Sequence, residues 1–169
     1  MKKIITMLLV GLMVLGSFSV TYAEEPQDTS MENFLEEGQD LKTDRLKEFA
    51  EEIHQINVLR IERNQLRIQV IEKQDQLFDL FIKARETGDK EVLEAAKEER
   101  KQIKGINDEI KVLHEQAAAT RKAFREALKN NDKETANTDI EKLIDIHSSI
   151  NDKKEDKIEV LDKIIDILS

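Results

Sequence analysis

The feature that most constrains this chain is its near lack of the residues that make turns. One Pro and five Gly occur among 169 residues, against averages of about 5% Pro and about 7% Gly. Neither residue occurs between Leu41 and Glu86. Sandwiches, barrels and doubly wound α/β folds need frequent turns. The chain is therefore predicted to be all-α.

Apolar side chains in the segment 41–86 recur in steps of three and four residues, the pattern of an amphipathic helix. The series consists of Leu46, Phe49, Ile53, Ile56, Leu59, Leu66, Val70, Leu77, Phe81 and Ala84. Similar series predict a second helix over about 90–129 and a third over about 133–168. Gly88-Asp89 and Asn131-Asp132 separate the three helices, with Gly or Asn ending one helix and Asp capping the next. A capping-box pair, Thr138 and Glu141, leaves Asp139 as a second candidate start for the third helix.

Two short reversals between long helices make consecutive helices antiparallel neighbours. The seven-residue spacing of the apolar positions predicts coiled-coil-like packing. Residues 41–169 are therefore expected to form an elongated antiparallel three-helix coiled-coil bundle, or an open helical cradle.

The first 23 residues have the pattern of a secretory signal peptide. Lys2 and Lys3 precede an apolar stretch, and the segment closes with Thr21-Tyr22-Ala23, with small residues at the two positions that a signal peptidase recognises. Cleavage after Ala23 and an extracytoplasmic location (secreted, periplasmic or cell-surface) are expected, and a retained membrane anchor is the alternative. Residues 24–40 are predicted to be a disordered polar arm.

Charge and composition argue against several function classes. The chain has 36 acidic and 27 basic residues, a net charge of −9, whereas general nucleic-acid binding needs a basic face. The same balance argues against docking on anionic lipid. The absence of Cys excludes disulfides, zinc–thiolate sites and thiol nucleophiles. No Gly-x-Ser-x-Gly elbow or Gly-rich phosphate loop occurs, so we expect neither an enzyme nor a cofactor.

A metal-binding helical bundle is the weakest alternative. Glu51 and His54 form one Glu-x-x-His pair, but di-iron bundles need two such pairs and two further inward carboxylates. Neither His114 nor His147 has a carboxylate three residues before it. No metal ligands are therefore assigned.

Basic side chains lie within the apolar face of the first predicted helix. At 100° per residue, Arg60, Arg63 and Arg67 fall within about 60° of one another. The predicted binding surface combines these arginines with neighbouring apolar residues and with two lysines at the same level of the third helix; the additional members are Leu59, Leu66, Val70, Lys154 and Lys157. In a closed bundle the guanidinium groups would reach the rim, whereas in an open one they would line a concave surface.

An exported, Cys-free chain of antiparallel helical hairpins resembles the Spy-type periplasmic chaperones and their stress-adaptor relatives. The resemblance covers the helices of residues 41–168 and the character of the three arginines, and the Leu-Thr-x-x-Gln signature of that family does not occur here. It implies a thin curved dimer whose concave, basic and apolar face holds unfolded clients.

The first expected function is therefore that of an exported, non-catalytic binding protein, an envelope chaperone or adaptor. Its expected partners are unfolded or envelope proteins, or a second copy in a homodimer. The alternative is a structural or spacer coiled-coil protein of the cell surface.

Overall fold

The computed structural model describes residues 43–169, and this part of the chain is all-α, with no strand among the described residues. The helices are α1 (Thr43–Lys47), α2 (Ala50–Thr87), α3 (Lys90–Asn130) and α4 (Lys133–Leu168). The predicted all-α fold is confirmed. The predicted signal peptide, 1–23, and polar arm, 24–40, lie outside the described residues.

The first reversal uses the predicted Gly and Asp. Gly88 has φ 73°, in the left-handed region, and its N–H donates to the carbonyl oxygen of Arg85. Asp89 caps α3 by accepting a hydrogen bond from the Val92 N–H at 3.2 Å. Because only Gly adopts a positive φ without a steric penalty, this position ends α2 sharply.

The second reversal uses Asn in place of Gly. Asn131 has φ 59°, and Asp132 accepts hydrogen bonds from the Thr135 N–H and hydroxyl at 3.1 and 2.8 Å. These hydrogen bonds favour the carboxylate and lower the pKa of Asp132. α4 begins at Lys133, so of the two candidate starts the structure has this one and not Asp139.

The structure differs from the predicted continuous helix 41–86 at Phe49, where the helical pattern is interrupted between α1 and α2. Phe49 is buried and packs edge-to-face on Phe124, with ring centroids 5.3 Å apart. The break also lets the Arg45 guanidinium donate to the carbonyl oxygen of Leu128 at 2.6 Å. At the break, the protein gives up the continuous helix; it gains the burial of the Phe49 ring and the hydrogen bond from Arg45 to the last turn of α3.

α4 is the central helix of the bundle. Nearly all contacts between the long helices join α4 to α2 or to α3, and α2 touches α3 only marginally. Lys153 of α4 pairs with Glu109 of α3, and Lys157, one turn further on, bonds Asn107, so these helices are antiparallel. α2 and α4 run parallel. This arrangement leaves the side of α2 that faces away from α4 uncovered by α3.

Two apolar clusters of the core lie along α4, and further buried apolar residues, among them Phe49, Phe124 and Ile140, lie outside both. One cluster joins α2, α3 and the C-terminal part of α4, and its buried members are Val70, Leu77, Ala84, Ala96, Val160, Leu161, Ile164, Ile165 and Leu168. The other joins α3 to the first half of α4, through Ile110, Ala117, Leu143, Ile146 and Ile150. Between them, on the α2 side, lie buried polar residues of α2 and α4.

Candidate functional site

The residues of the predicted basic and apolar binding surface differ in how far they are buried. Arg63, Leu66, Val70 and Lys154 are buried, and Leu59, Arg60 and Lys157 are half-buried, while Arg67 is exposed. The centre of the predicted surface is therefore not accessible. α4 covers it, because α2 turns this face towards the central helix and not towards solvent.

Arg63 is the centre of a hydrogen-bonded layer between α2 and α4. Its Nε donates to Asn151 Oδ1 at 3.3 Å, and one Nη lies 2.5 Å from His147 Nδ1. The Asn151 amide nitrogen donates in turn to the Leu59 carbonyl oxygen and to Glu62 Oε2, both at 2.9 Å. Because a guanidinium only donates, His147 Nδ1 is the acceptor in this contact.

This polar layer carries more positive than negative charge in its buried part. Arg63 and Lys154 are 6% and 3% exposed, and the Glu62 carboxylate reaches the layer from an exposed position through the Asn151 amide. Burial of a charge is costly unless hydrogen bonds compensate it. The layer therefore holds α2 and α4 in one register and does not offer its charges to a ligand.

The two lysines predicted to face α2 diverge. Lys154 is buried, whereas the Lys157 amine donates to Asn107 Oδ1 of α3 at 3.0 Å. Their neighbour Lys153 contacts Glu109 and Asp156, and hydrogen bonds to both carboxylates raise the pKa of its amine. Lys157 and Lys153 thus serve the α3–α4 contact, so the predicted pair Lys154 and Lys157 does not act as one set with the arginines.

The three histidines lie on three different helices in different surroundings. His54 of α2 is exposed, His114 of α3 is half-buried, and buried His147 of α4 contacts Arg63. Within residues 43–169, no three His, Cys, Asp or Glu side chains come together as metal ligands would. In the same part of the chain, no helix has the length and apolar content needed to cross a membrane.

A second apolar surface of α2 was missed at the sequence level. We call it the outer stripe; it consists of Val58, Ile61, Ile68, Ile71, Phe78 and Ile82. Val58 and Phe78 are each 63% exposed, and the others are between 43% and 60% exposed. At 100° per residue, Ile68 points about 160° away from buried Val70. The outer stripe therefore lies on the part of the α2 surface that α4 leaves exposed.

The outer stripe has coiled-coil spacing. Ile61, Ile68 and Ile82 fall on one set of positions seven residues apart, with Asp75 at the remaining place in that set. Ile71 and Phe78 fall on a second set offset by three and four residues, which Asn57 and Asn64 continue towards the N-terminus. Such alternation over more than three heptads is the pattern of a helix that pairs with another helix. The signal was available in the sequence as a second apolar series opposite the first.

Among the described residues, exposed apolar groups of this size concentrate on α2. The other large apolar side chain with comparable exposure is Val112 of α3, at 50%. Continuous exposed apolar patches on soluble proteins mark interaction sites, whereas scattered ones are ordinary. The outer stripe is therefore the candidate functional site.

Comparisons of the chain with protein-family models, with curated proteins and with solved structures find no match.

Proposed function

We propose that the protein is an exported, non-catalytic helical binding protein that associates with other protein chains through the outer stripe of α2. The observation that carries the proposal is a row of six large apolar side chains, each at least 43% exposed, five of which lie at the heptad positions of a coiled coil. Burying such side chains stabilises an association by about 1.5–3 kcal/mol for each one that goes from fully exposed to fully buried. An envelope adaptor or chaperone is the first candidate role.

The proposal assigns binding to a different face from the one that the sequence favoured. The basic and apolar face around Arg63 is taken up by α4, so its role is in the fold. The outer stripe keeps apolar contact area available and has charged residues on its flanks, such as Arg67 and Glu72, both exposed. An apolar strip with a polar rim is the usual composition of a protein–protein interface.

A structural or spacer coiled-coil role at the cell surface is the second candidate. It is favoured by the length of the helices, 38, 41 and 36 residues, and by the heptad spacing of the outer stripe. An adaptor or chaperone would use the outer stripe on other envelope proteins, whereas a spacer would use it on its own copies.

Site-specific photo-crosslinking in the living host tests the proposal. A photoreactive phenylalanine analogue in place of Phe78 reports on what touches the outer stripe, and the same analogue in place of Val112 is the matched control. We expect adducts with protein at position 78 that are several-fold more abundant than those at position 112. Equal labelling at the two positions, or none at position 78, would rule out the outer stripe as a binding surface.

The same experiment addresses export and separates the two roles. Adducts recovered from the extracytoplasmic fraction, on a chain that begins at Glu24, support an exported protein, and a full-length cytosolic species as the main product contradicts it. Adducts with envelope proteins favour an adaptor or chaperone. Adducts with the chain itself alone favour the spacer.

A further inference from the structure

We infer that the partner of the outer stripe is a second copy of this chain, bound antiparallel about a two-fold axis that passes between Gln69 and Val70 of α2. This inference rests on the proposed function, because it takes the outer stripe to be a protein-binding surface and names its occupant. It goes further by fixing the direction and register of the pairing.

The spacing of the outer stripe is nearly palindromic. From Val58 to Ile82 the apolar positions are separated by three, seven, three, seven and four residues. Reversing the order of these steps gives almost the same series. A two-fold interface uses the same surface on both subunits and therefore requires a surface that is complementary to itself. A partner of unrelated sequence would impose no such symmetry.

The antiparallel register places apolar residues opposite apolar residues. Ile68 lies opposite Ile71 of the second copy, and Ile61 lies opposite Phe78 of the second copy. Ile82 lies opposite Asn57 of the second copy, and Val58 is the residue next to Asn57. Because the axis is two-fold, each of these pairs occurs twice along the interface.

Asp75, the one acidic residue in the heptad core of the outer stripe, distinguishes the two possible directions. In the antiparallel register, Asp75 lies opposite Asn64 of the second copy, whose amide donates to a carboxylate. In a parallel, in-register pair, Asp75 would face Asp75 of the second copy. Two carboxylates facing each other in a partly buried seam would repel. The charge pattern therefore selects the antiparallel arrangement.

The flanking residues agree with the same register. In an antiparallel two-fold pair, each flank of α2 faces the same flank of the second copy. Glu72 then lies near Gln65 of the second copy, and Arg67 lies near Gln74 of the second copy. No like charges face each other across the interface at these positions, which is what a stable association needs.

The absence of Cys from the chain permits a direct test of direction and register. Protein purified from its host is prepared as two single-site variants, Ile61→Cys and Phe78→Cys, each alone and as an equimolar mixture, and is oxidised mildly. The antiparallel register brings positions 61 and 78 of different copies together, while the two copies of position 61 lie about 26 Å apart along the axis at 1.5 Å per residue. A disulfide requires Cα atoms within about 7 Å.

We expect a disulfide-linked dimer in the mixture and little or none with either variant alone. Ready self-crosslinking of Ile61→Cys would establish a parallel pair and overturn the inferred arrangement. Absence of crosslinking in the mixture as well as in each variant alone would overturn it too. A mixture of Val112→Cys and Phe78→Cys is the control for random collision.

Light scattering after size-exclusion chromatography tests whether the unmodified protein is a dimer. We expect the dimer mass for the wild-type chain and for Val112→Gln, and the monomer mass for Ile68→Gln/Ile71→Gln with unchanged helical circular dichroism. A wild-type monomer across the micromolar range overturns the inference.

The two proposals fail in different ways. Photo-adducts at position 78 with other proteins, on a monomeric chain, would leave the proposed binding function standing and refute the second copy as partner. A wild-type monomer with no photo-adducts would refute both.

Discussion

At the scale of single residues, Arg63 shows how a charged side chain on an apolar helix face is accommodated. It is 6% exposed, and its donors are directed to Asn151 and His147 of α4. The sequence placed Arg63 on the correct face, but its surroundings depend on which helix covers that face. Because α4 supplies two acceptors there, the arginine forms part of the interface.

Replacing Arg63 with Leu is expected to lower the free energy of unfolding by about 1–3 kcal/mol, because it leaves buried acceptors on His147 and Asn151 without this donor. His147→Leu is expected to have a cost of similar size. Since the two side chains contact each other, the double variant should cost less than the two single variants together, with a coupling of about 0.5–3 kcal/mol.

Urea denaturation of the four proteins of this cycle measures the coupling. Arg67→Leu is the matched control, because Arg67 is exposed one turn further along α2, and we expect it to change stability by no more than about 0.5 kcal/mol. Additive effects in the cycle would contradict a direct bond between Arg63 and His147.

At the scale of elements, the bounds of the helices could be predicted because they depend on local chemistry. Gly88, Asp89 and Asn131 act within a few residues of themselves, through a backbone conformation or one capping hydrogen bond. The break at Phe49 could not be predicted in this way. It depends on the contact with Phe124, 75 positions further along the chain, and no local signal such as Gly or Pro marks it.

The two reversals of the bundle provide a matched pair of tests of helix termination. Gly88→Ala is expected to lower the free energy of unfolding by about 1 kcal/mol, because a side chain disfavours φ 73°. A Cβ at position 88 would meet no atom within 4 Å, so this cost arises from the backbone conformation alone.

Asn131→Gly removes a side chain from the equivalent left-handed position at φ 59°. We expect this variant to differ from the wild type by no more than a few tenths of a kcal/mol, since both residues are accepted at such positions. Thermal denaturation of both variants measures these stability changes. A Gly88→Ala protein as stable as the wild type would contradict the expected cost of a side chain at φ 73°.

The candidate site could be predicted only in part. The sequence predicted the apolar and basic residues on the inner face of α2, and α4 covers several of them. The outer stripe follows from the same sequence, because Ile61, Ile68 and Phe78 are regularly spaced, but a helix with two apolar faces does not reveal which face is buried. That choice depends on the packing of three helices, in which α4 contacts both others and α2 barely contacts α3.

At the scale of the bundle formed by residues 43–169, the central position of α4 makes it the helix on which the others depend. Its buried residues include members of both apolar clusters and of the polar layer, whereas the buried residues of α2 include members of the first cluster and of the polar layer. α2 can separate by losing its contact with α4, but α4 cannot separate without losing two interfaces. Local opening is therefore expected to be easiest for α2 or α3 and hardest for α4.

Hydrogen exchange measured by mass spectrometry should show this order. Backbone amides near Ile150, which is fully buried, are expected to exchange only through global unfolding and so to be the slowest in the bundle. Leu77→Ala should speed exchange mainly in α2, because Leu77 is carried by α2, which packs there on the C-terminal part of α4 and on α3. Ile150→Ala, at a cost of about 2–5 kcal/mol, should speed exchange in all three long helices.

The comparison between the two variants is the decisive measurement, because both remove apolar side-chain carbons from a buried site, one carried by α2 and the other by α4. If α2 and α3 both depend on α4, Leu77→Ala speeds hydrogen exchange mainly in α2, whereas Ile150→Ala speeds it in α2, α3 and α4. Equal spreading from both sites would mean that the three helices open as one unit. Slower exchange in α3 than in α4 would mean that α2 and α3 do not both depend on α4.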